Sequence, residues 1–246
     1  TAALIRKAAP GAAILFTLNH LARETGVPYY YLRDVAARGG RNGDTFYRVF
    51  SLKKTNVGFK GKRTRTVCAP DPLLMKVQRW IHEHILTKRY PHNASSAYQP
   101  GSRIRDAAAQ HRNARWLVKM DVMNFFESVL EPKVYEVFRS FGYQPLIAFE
   151  LTRLCTRVRK GGPKRYKVND TARIVRYSSN SLGHLPQGAP TSPLLANLAV
   201  FDLDCELDML AKSNGMVYTR YADDIVFSSS ADDWSKSKAV TLLKDR

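Results

Sequence analysis

Three acidic residues stand where a hard cation could be held. Asp223 and Asp224 are adjacent, between the short apolar runs Met216-Val217-Tyr218-Thr219-Arg220 and Ile225-Val226-Phe227-Ser228. Asp121 lies near the end of the run Trp116-Leu117-Val118-Lys119-Met120-Asp121-Val122. Neighbouring carboxylates repel, so a pair fixed at a turn is costly unless a cation lies against it. Magnesium prefers hard oxygen ligands, often one or two carboxylates together with the phosphates of a substrate. Two separated acidic positions of this kind suit a two-metal site, in which ions about 3.5–4 Å apart stabilise the attacking and leaving oxygens of an in-line displacement. Taken alone, Asp223-Asp224 also fits a plain solvated turn.

The elements that must position these acids are strands. The alternating β-branched and aromatic runs around Tyr221-Ala222-Asp223-Asp224 predict a tight hairpin with carboxylates at its tip. Trp116–Val122 predicts another strand, in which one buried face explains the alternation of Lys119 and Met120. Residues 1–38 read as helical, broken at Gly26 and Pro28, with Ala8–Leu18 a core-facing helix rather than a signal peptide. Thr45–Leu52 and Arg63–Cys68 predict two strands joined by a basic, glycine-bearing turn over Lys53–Lys62. Pro70-Asp71-Pro72 opens a helix whose apolar residues Leu73, Leu74, Val77, Trp80, Ile81 and Ile85 recur at helical spacing. Further helices are predicted over 133–141, 145–156 and Leu194–Met209. His111, at the end of a polar and basic stretch, reads as a structural or surface histidine.

The charge balance narrows the partner. The chain of 246 residues carries 39 Lys+Arg against 21 Asp+Glu, a net charge of +18. Such an excess suggests a polyanion, most simply nucleic acid. A membrane surface is the competing reading, and it lacks both an apolar run of about 18 residues and a lipidation signal. Eight cations between Arg157 and Arg176, against the one acid Asp170, predict a basic flap that touches nucleic acid through Lys164 and Arg165, or else a solvated loop. The three cysteines form no C-x-x-C pair, which points away from a disulfide framework or zinc site and toward a reducing, cytoplasmic setting.

Together these parts resemble the fingers and palm of a reverse transcriptase. Lys119-Met120-Asp121 through Phe125-Phe126 looks like the family's first catalytic motif. Leu185-Pro186-Gln187-Gly188-Ala189-Pro190-Thr191-Ser192-Pro193-Leu194-Leu195-Ala196-Asn197-Leu198 looks like its template and nucleotide loop, and Tyr218–Asp224 like its metal-binding hairpin. The Q-G-A-P-T-S-P form is similar to that of bacterial retron reverse transcriptases. The retron element N-A-x-x-H corresponds to Ala107-Ala108-Ala109-Gln110-His111, which keeps the histidine.

The resemblance implies an α+β fold with an N-terminal helical region over 1–44, fingers over 45–115, and a palm over 116–246 with the basic insertion at 157–176. The palm would be an antiparallel sheet flanked by helices, and a thumb would follow Arg246. It implies DNA synthesis from deoxynucleoside triphosphates on a structured RNA template, with two magnesium ions held by Asp121, Asp223, Asp224 and the Val122 carbonyl. Asp224 would contribute less directly than the other two. Lys62, Arg63 and Arg65 are expected at the triphosphate, Gln187 and Gly188 at the nascent base pair, and Phe126 as a gate against the ribose 2′-hydroxyl. Retron kinship further implies an RNA/DNA hybrid product in anti-phage defence, and admits an effector protein as partner. The rivals are a group II intron-like or other defence reverse transcriptase, an RNA-templated RNA polymerase, and a catalytically idle RNA-binding protein.

Overall fold

A computed structural model describes residues 1–38, 46–53, 64–99, 101–158 and 182–231. The chain divides into two compact units that are interleaved in sequence, one from 1–89 with 126–196 and the other from 90–125 with 197–246.

The first unit is mostly helical. It begins with α1 (Ala2–Ala8), α2 (Leu18–Thr25) and α3 (Tyr29–Ala37). Thr17 caps α2 by accepting the His20 N–H, and Gly26 ends it at φ 63°, a left-handed conformation that glycine adopts without steric cost. The helix expected over Ala8–Leu18 does not form. Pro10 supplies no amide for a helix interior, Gly11 turns the chain at φ 83°, and the segment runs on without helical structure. Ala12, Leu15 and Leu18 are nonetheless buried, so its apolar residues reach the core.

Strands β1 (Tyr47–Lys53) and β2 (Thr64–Pro70) pair antiparallel, with Tyr47 opposite Pro70 and Lys53 opposite Thr64. Asp71 then caps α4 (Pro72–His84), accepting the Leu74 N–H at 2.9 Å. The same unit resumes at residue 126 and includes α7 (Glu131–Ser140) and α8 (Pro145–Cys155), which pack on each other, while α8 also packs on α3. Leu32, Leu74, Val77, Ile81, Val134, Phe138, Leu151 and Leu154 are buried in this unit, and each such side chain contributes about 1.5–3 kcal/mol by leaving water. Glu131 is wholly buried within the same unit. It is ion-paired with Arg38, accepts the Thr156 hydroxyl at 2.7 Å, and has Arg153 Nε at 3.7 Å. Gly183 backs this cluster, where any Cβ would run into Arg38 Nη2 and Glu131 Oε1.

The second unit holds a three-stranded antiparallel sheet of β3 (Trp116–Asp121), β4 (Val217–Tyr221) and β5 (Asp224–Ser229), in the order β3-β5-β4. It also contains α5 (Ile104–Ala109) and α10 (Phe201–Ser213). Met120, Tyr218, Ile225 and Phe227 pack together on one face of the sheet with Leu207 and Ala211 of α10. The single helix expected over Leu194–Met209 is two helices, α9 (Ser192–Ala199) and α10. The break falls at Val200, a β-branched residue at φ −99°, ψ 15°, between the helical and extended regions. The short helix α6 (Phe125–Ser128) follows β3. Helices and antiparallel strands in these proportions make an α+β architecture, as expected. Among the described residues no helix is long and apolar enough to cross a membrane.

Candidate active site

The register of the central sheet places the acids. Asp121, the last residue of β3, lies directly opposite Asp224, the first of β5. Asp224 is in turn opposite Tyr221 on β4, so Ala222 and Asp223 form a two-residue hairpin loop. Beyond β3 the Val122 N–H donates to the Asp223 carbonyl at 2.9 Å, which ties the loop to the neighbouring strand. Side chains alternate along a strand, so Leu117, Lys119 and Asp121 are exposed while Val118 is buried. Directly opposite residues share a face, which puts the Asp121 and Asp224 carboxylates on the open side of the sheet.

Below the hairpin lies a polar network that sequence reasoning did not assign. Arg220 is 1% exposed. Its Nε and Nη2 donate to the two carboxylate oxygens of Asp204 at 2.7 and 2.6 Å. Its Nη1 donates to Asn197 Oδ1 and to the Ala222 carbonyl, both at 2.9 Å. The Tyr218 hydroxyl reaches Asp204 at 2.6 Å, and Asn197 donates onward to the Ala97 carbonyl at 2.8 Å. The Phe125 ring lies 5.6 Å from the guanidinium carbon. Burial opposes the Arg220 charge, but Asp204 more than offsets it and the guanidinium pKa moves up. An arginine in a strand ordinarily reads as exposed. The available signal was parity, since Met216, Tyr218 and Arg220 alternate with Val217, Thr219 and Tyr221, and the first set includes two large core residues.

The donors at the strand ends are all oxygens, the set a hard divalent cation takes. Asp121 and Asp224 stand side by side, and Asp223 stands in the adjoining loop. Among the described residues no three His, Cys, Asp or Glu side chains are gathered tightly enough to hold a metal. Lys119 Nζ lies 3.0 Å from Asp224 Oδ1, a counter-charge on the same face. The donors therefore suit a hard cation in their chemistry, while their side chains are not drawn together around one point among the described residues.

His111, in the turn after α5, bridges both strands of the hairpin. Its Nδ1 is 2.6 Å from Ser228 Oγ and its Nε2 is 2.7 Å from Thr219 Oγ1. Burial lowers its pKa below the ordinary 6.5. With the folded pKa depressed, the unfolded chain takes up the proton first as pH falls. The stability this group contributes is therefore complete above about pH 6.5 and is lost on acidification below it. Urea unfolding midpoints should fall from about pH 7 to about pH 5, and His111→Gln should flatten that slope. His82, whose pKa is also lowered by burial, accounts for part of what remains. An identical slope in the variant would show that His111 does not titrate in this way.

The other expected site residues fall differently. Phe126 is half-buried in α6, next to the buried Phe125. The Gln187 carbonyl accepts the Cys68 N–H of β2 at 2.7 Å. Gly188, at φ 107°, lies so close to β2 that a Cβ would come within 2.8 Å of Val67 Cγ1. The Gln187-Gly188 loop is thus moored on the β1–β2 hairpin, and glycine is required there by both its φ and this approach. Arg65 is a residue of β2 opposite Leu52. Lys62, Arg63, Lys164 and Arg165 lie outside the described residues. Phe126, Gln187, Gly188 and Arg65 belong to the first unit; Asp121, Val122, Asp223 and Asp224 belong to the second. Cys68 and Cys155 are buried and Cys205 partly so, and burial pushes the Cys155 thiol up to about 12, so it is inert at neutral pH.

Comparison with known proteins accounts for this combination. The profile of the family described as reverse transcriptase (RNA-dependent DNA polymerase) matches residues 52–245. That family has a fingers-and-palm fold and generally uses divalent metal ions, in keeping with the α+β architecture and the oxygen donors. The chain is 31% identical to the Retron Ec86 reverse transcriptase of Escherichia coli over 223 residues, 90% of this chain and 59% of that protein. It is 33% identical to the Retron Mx162 reverse transcriptase of Myxococcus xanthus over 233 residues, 95% of this chain and 45% of that protein. It is 30% identical to the Retron Mx65 reverse transcriptase of the same organism, over 96% of this chain and 52% of that one. The chain thus spans about half the length of these relatives. With a family match across most of its residues and retron enzymes as its relatives, the chain belongs to the reverse transcriptase (RNA-dependent DNA polymerase) family.

Proposed function

We propose that the protein is a retron-type RNA-directed DNA polymerase that copies a structured RNA into DNA. The observation that carries this reading is the Asp121–Asp224 register beside the Asp223 loop, inside the matched span of 52–245. Asp121, Asp223, Asp224 and the Val122 carbonyl would hold two magnesium ions. Bound there, such ions would lower the pKa of the attacking hydroxyl and neutralise the departing pyrophosphate. The chain's own residues would do the rest. Lys62, Arg63 and Arg65 would grip the triphosphate, arginine through paired hydrogen bonds. The Gln187-Gly188 loop, held by its mooring on β2, would present backbone to the new base pair. Lys164 and Arg165 would contact nucleic acid backbone. In this reading the fingers are 45–115 and the palm 116–246, the enzyme works in the cytoplasm, and its RNA/DNA product serves anti-phage defence together with an effector protein.

A net charge of +18 gives strong but unselective attraction to phosphates, so selection of one RNA must come from its shape and single-stranded loops. The intact protein purified from its host should carry a single RNA species partly joined to DNA. Heterogeneous cellular RNA, with efficient extension of any added primer, would count against the retron reading.

Sugar selection gives a second test. Phe125 is buried beneath Arg220, whereas Phe126 is only half-buried, which favours Phe126 as the gate. Phe126→Ala is expected to admit ribonucleotides and lower the deoxynucleotide preference by about tenfold or more. Single-nucleotide incorporation with each sugar measures it, and an unchanged ratio would remove Phe126 from that role.

A further inference from the structure

We infer that Arg220 is a positioning residue, whose guanidinium holds the Ala222 carbonyl from inside the second unit and so sets the loop that presents Asp223. The inference rests on the reading that Asp121 and Asp223 hold a divalent cation. Asp204 grips one edge of the guanidinium through both carboxylate oxygens, which fixes the plane of the group. The remaining nitrogen is shared between Asn197 and the Ala222 carbonyl. A peptide is planar, so pinning that oxygen also orients the Asp223 N–H and the Cα beyond it. Ala222 needs such a hold. At φ 57° it occupies the left-handed region, which disfavours residues other than glycine. Restraint comes from the other side as well, where the Val122 N–H donates to the Asp223 carbonyl. The two peptides flanking Asp223 are therefore both fixed, one by each bond.

A role in stability alone would not require this arrangement. A buried ion pair can often be replaced by apolar residues of similar volume without loss of stability. An apolar replacement cannot donate to a carbonyl. Lysine would not substitute either, being a single point charge without the planar fork.

The test separates the two roles in the intact protein. Arg220→Met combined with Asp204→Leu and Tyr218→Phe removes the ionic network and the hydroxyl that depends on it. The triple variant is expected to unfold thermally near the wild-type temperature. Its Mg²⁺ affinity, measured by calorimetry without nucleic acid, and its kcat should each fall about a hundredfold, the scale of an ångström-sized misplacement. Recovery of Mg²⁺ binding and kcat together with stability would overturn the inference. Asp223→Asn is measured in parallel. An inactive Asp223→Asn beside a fully active triple variant overturns this inference alone, whereas an active Asp223→Asn brings down the underlying cation site and the inference with it. If the triple variant does not fold, nitrogen NMR of wild-type Arg220 decides. Separate Nη1 and Nη2 resonances are expected from a clamped guanidinium, and a single averaged resonance would refute the hold.

Discussion

Asp223→Asn should abolish DNA synthesis, by about a thousandfold or more, while RNA binding stays near the wild-type level. The substitution keeps the side chain's size and removes its charge. It leaves the main chain alone, and it is the Asp223 carbonyl that accepts the Val122 N–H, so the loop keeps its tie to β3. The loss should therefore fall on kcat, because what disappears is charge opposite the developing transition state. Asp121→Asn should behave alike. Asp224→Asn should be milder, since its carboxylate is paired with Lys119. Primer extension together with an RNA-binding titration would measure all three. Wild-type extension by Asp223→Asn would remove the proposed cation site.

Glu131→Gln is expected to have the largest effect on stability, a loss of about 3–5 kcal/mol. Glu131 is wholly buried and faces Arg38, with Arg153 nearby. Removing its charge leaves the Arg38 guanidinium, which keeps its hydrogen bond to the Thr156 hydroxyl, facing a neutral amide in place of a carboxylate in a largely buried setting. Gln retains an oxygen for the Thr156 hydroxyl, which isolates the ionic part. The urea midpoint of the intact protein measures the change. Exchanging both partners, Arg38→Met with Glu131→Leu, should restore most of the loss, because the cost lies in a buried cation that has lost its counter-charge and not in the absence of a pair. A loss below about 1 kcal/mol in the single variant would mean that the pair behaves like a surface salt bridge.

Much of this site could be read from residue order. Alternation around Tyr221-Ala222-Asp223-Asp224 located the hairpin to within a residue or two, and the run ending at Asp121 located β3. Both signals are local, arising from the two-residue period of a half-buried strand. Two helix boundaries were not legible. Ala8–Leu18 has the apolar content of a core helix, but Pro10 and Gly11 divert it. Leu194–Met209 reads as one helix, and its break at Val200 has no glycine or proline to announce it. The polar network was also hidden. Arg220, Asp204 and Asn197 come from a strand and two helices, and only tertiary packing reveals that a charged residue points inward. His111 looked like an ordinary surface or structural histidine; that it spans Thr219 and Ser228 depends on a strand pairing that no local pattern encodes.

The sheet order β3-β5-β4 also has a consequence for how the protein is made. Among the described residues β3 meets no strand but β5, and the partner of Asp121 is encoded about a hundred residues later, an interval of roughly 5–20 s at ordinary translation rates. Throughout that time Trp116, Leu117 and Val118 lack the strand that they pair with in the folded chain. An unpaired strand edge is a template for wrong association, and Lys119 beside these residues is the kind of charged gatekeeper that limits it. The lysine that faces Asp224 in the finished sheet would thus guard the strand before Asp224 has been synthesised. The two opposed carboxylates are assembled late, because none of the chain made before β5 can bring them together.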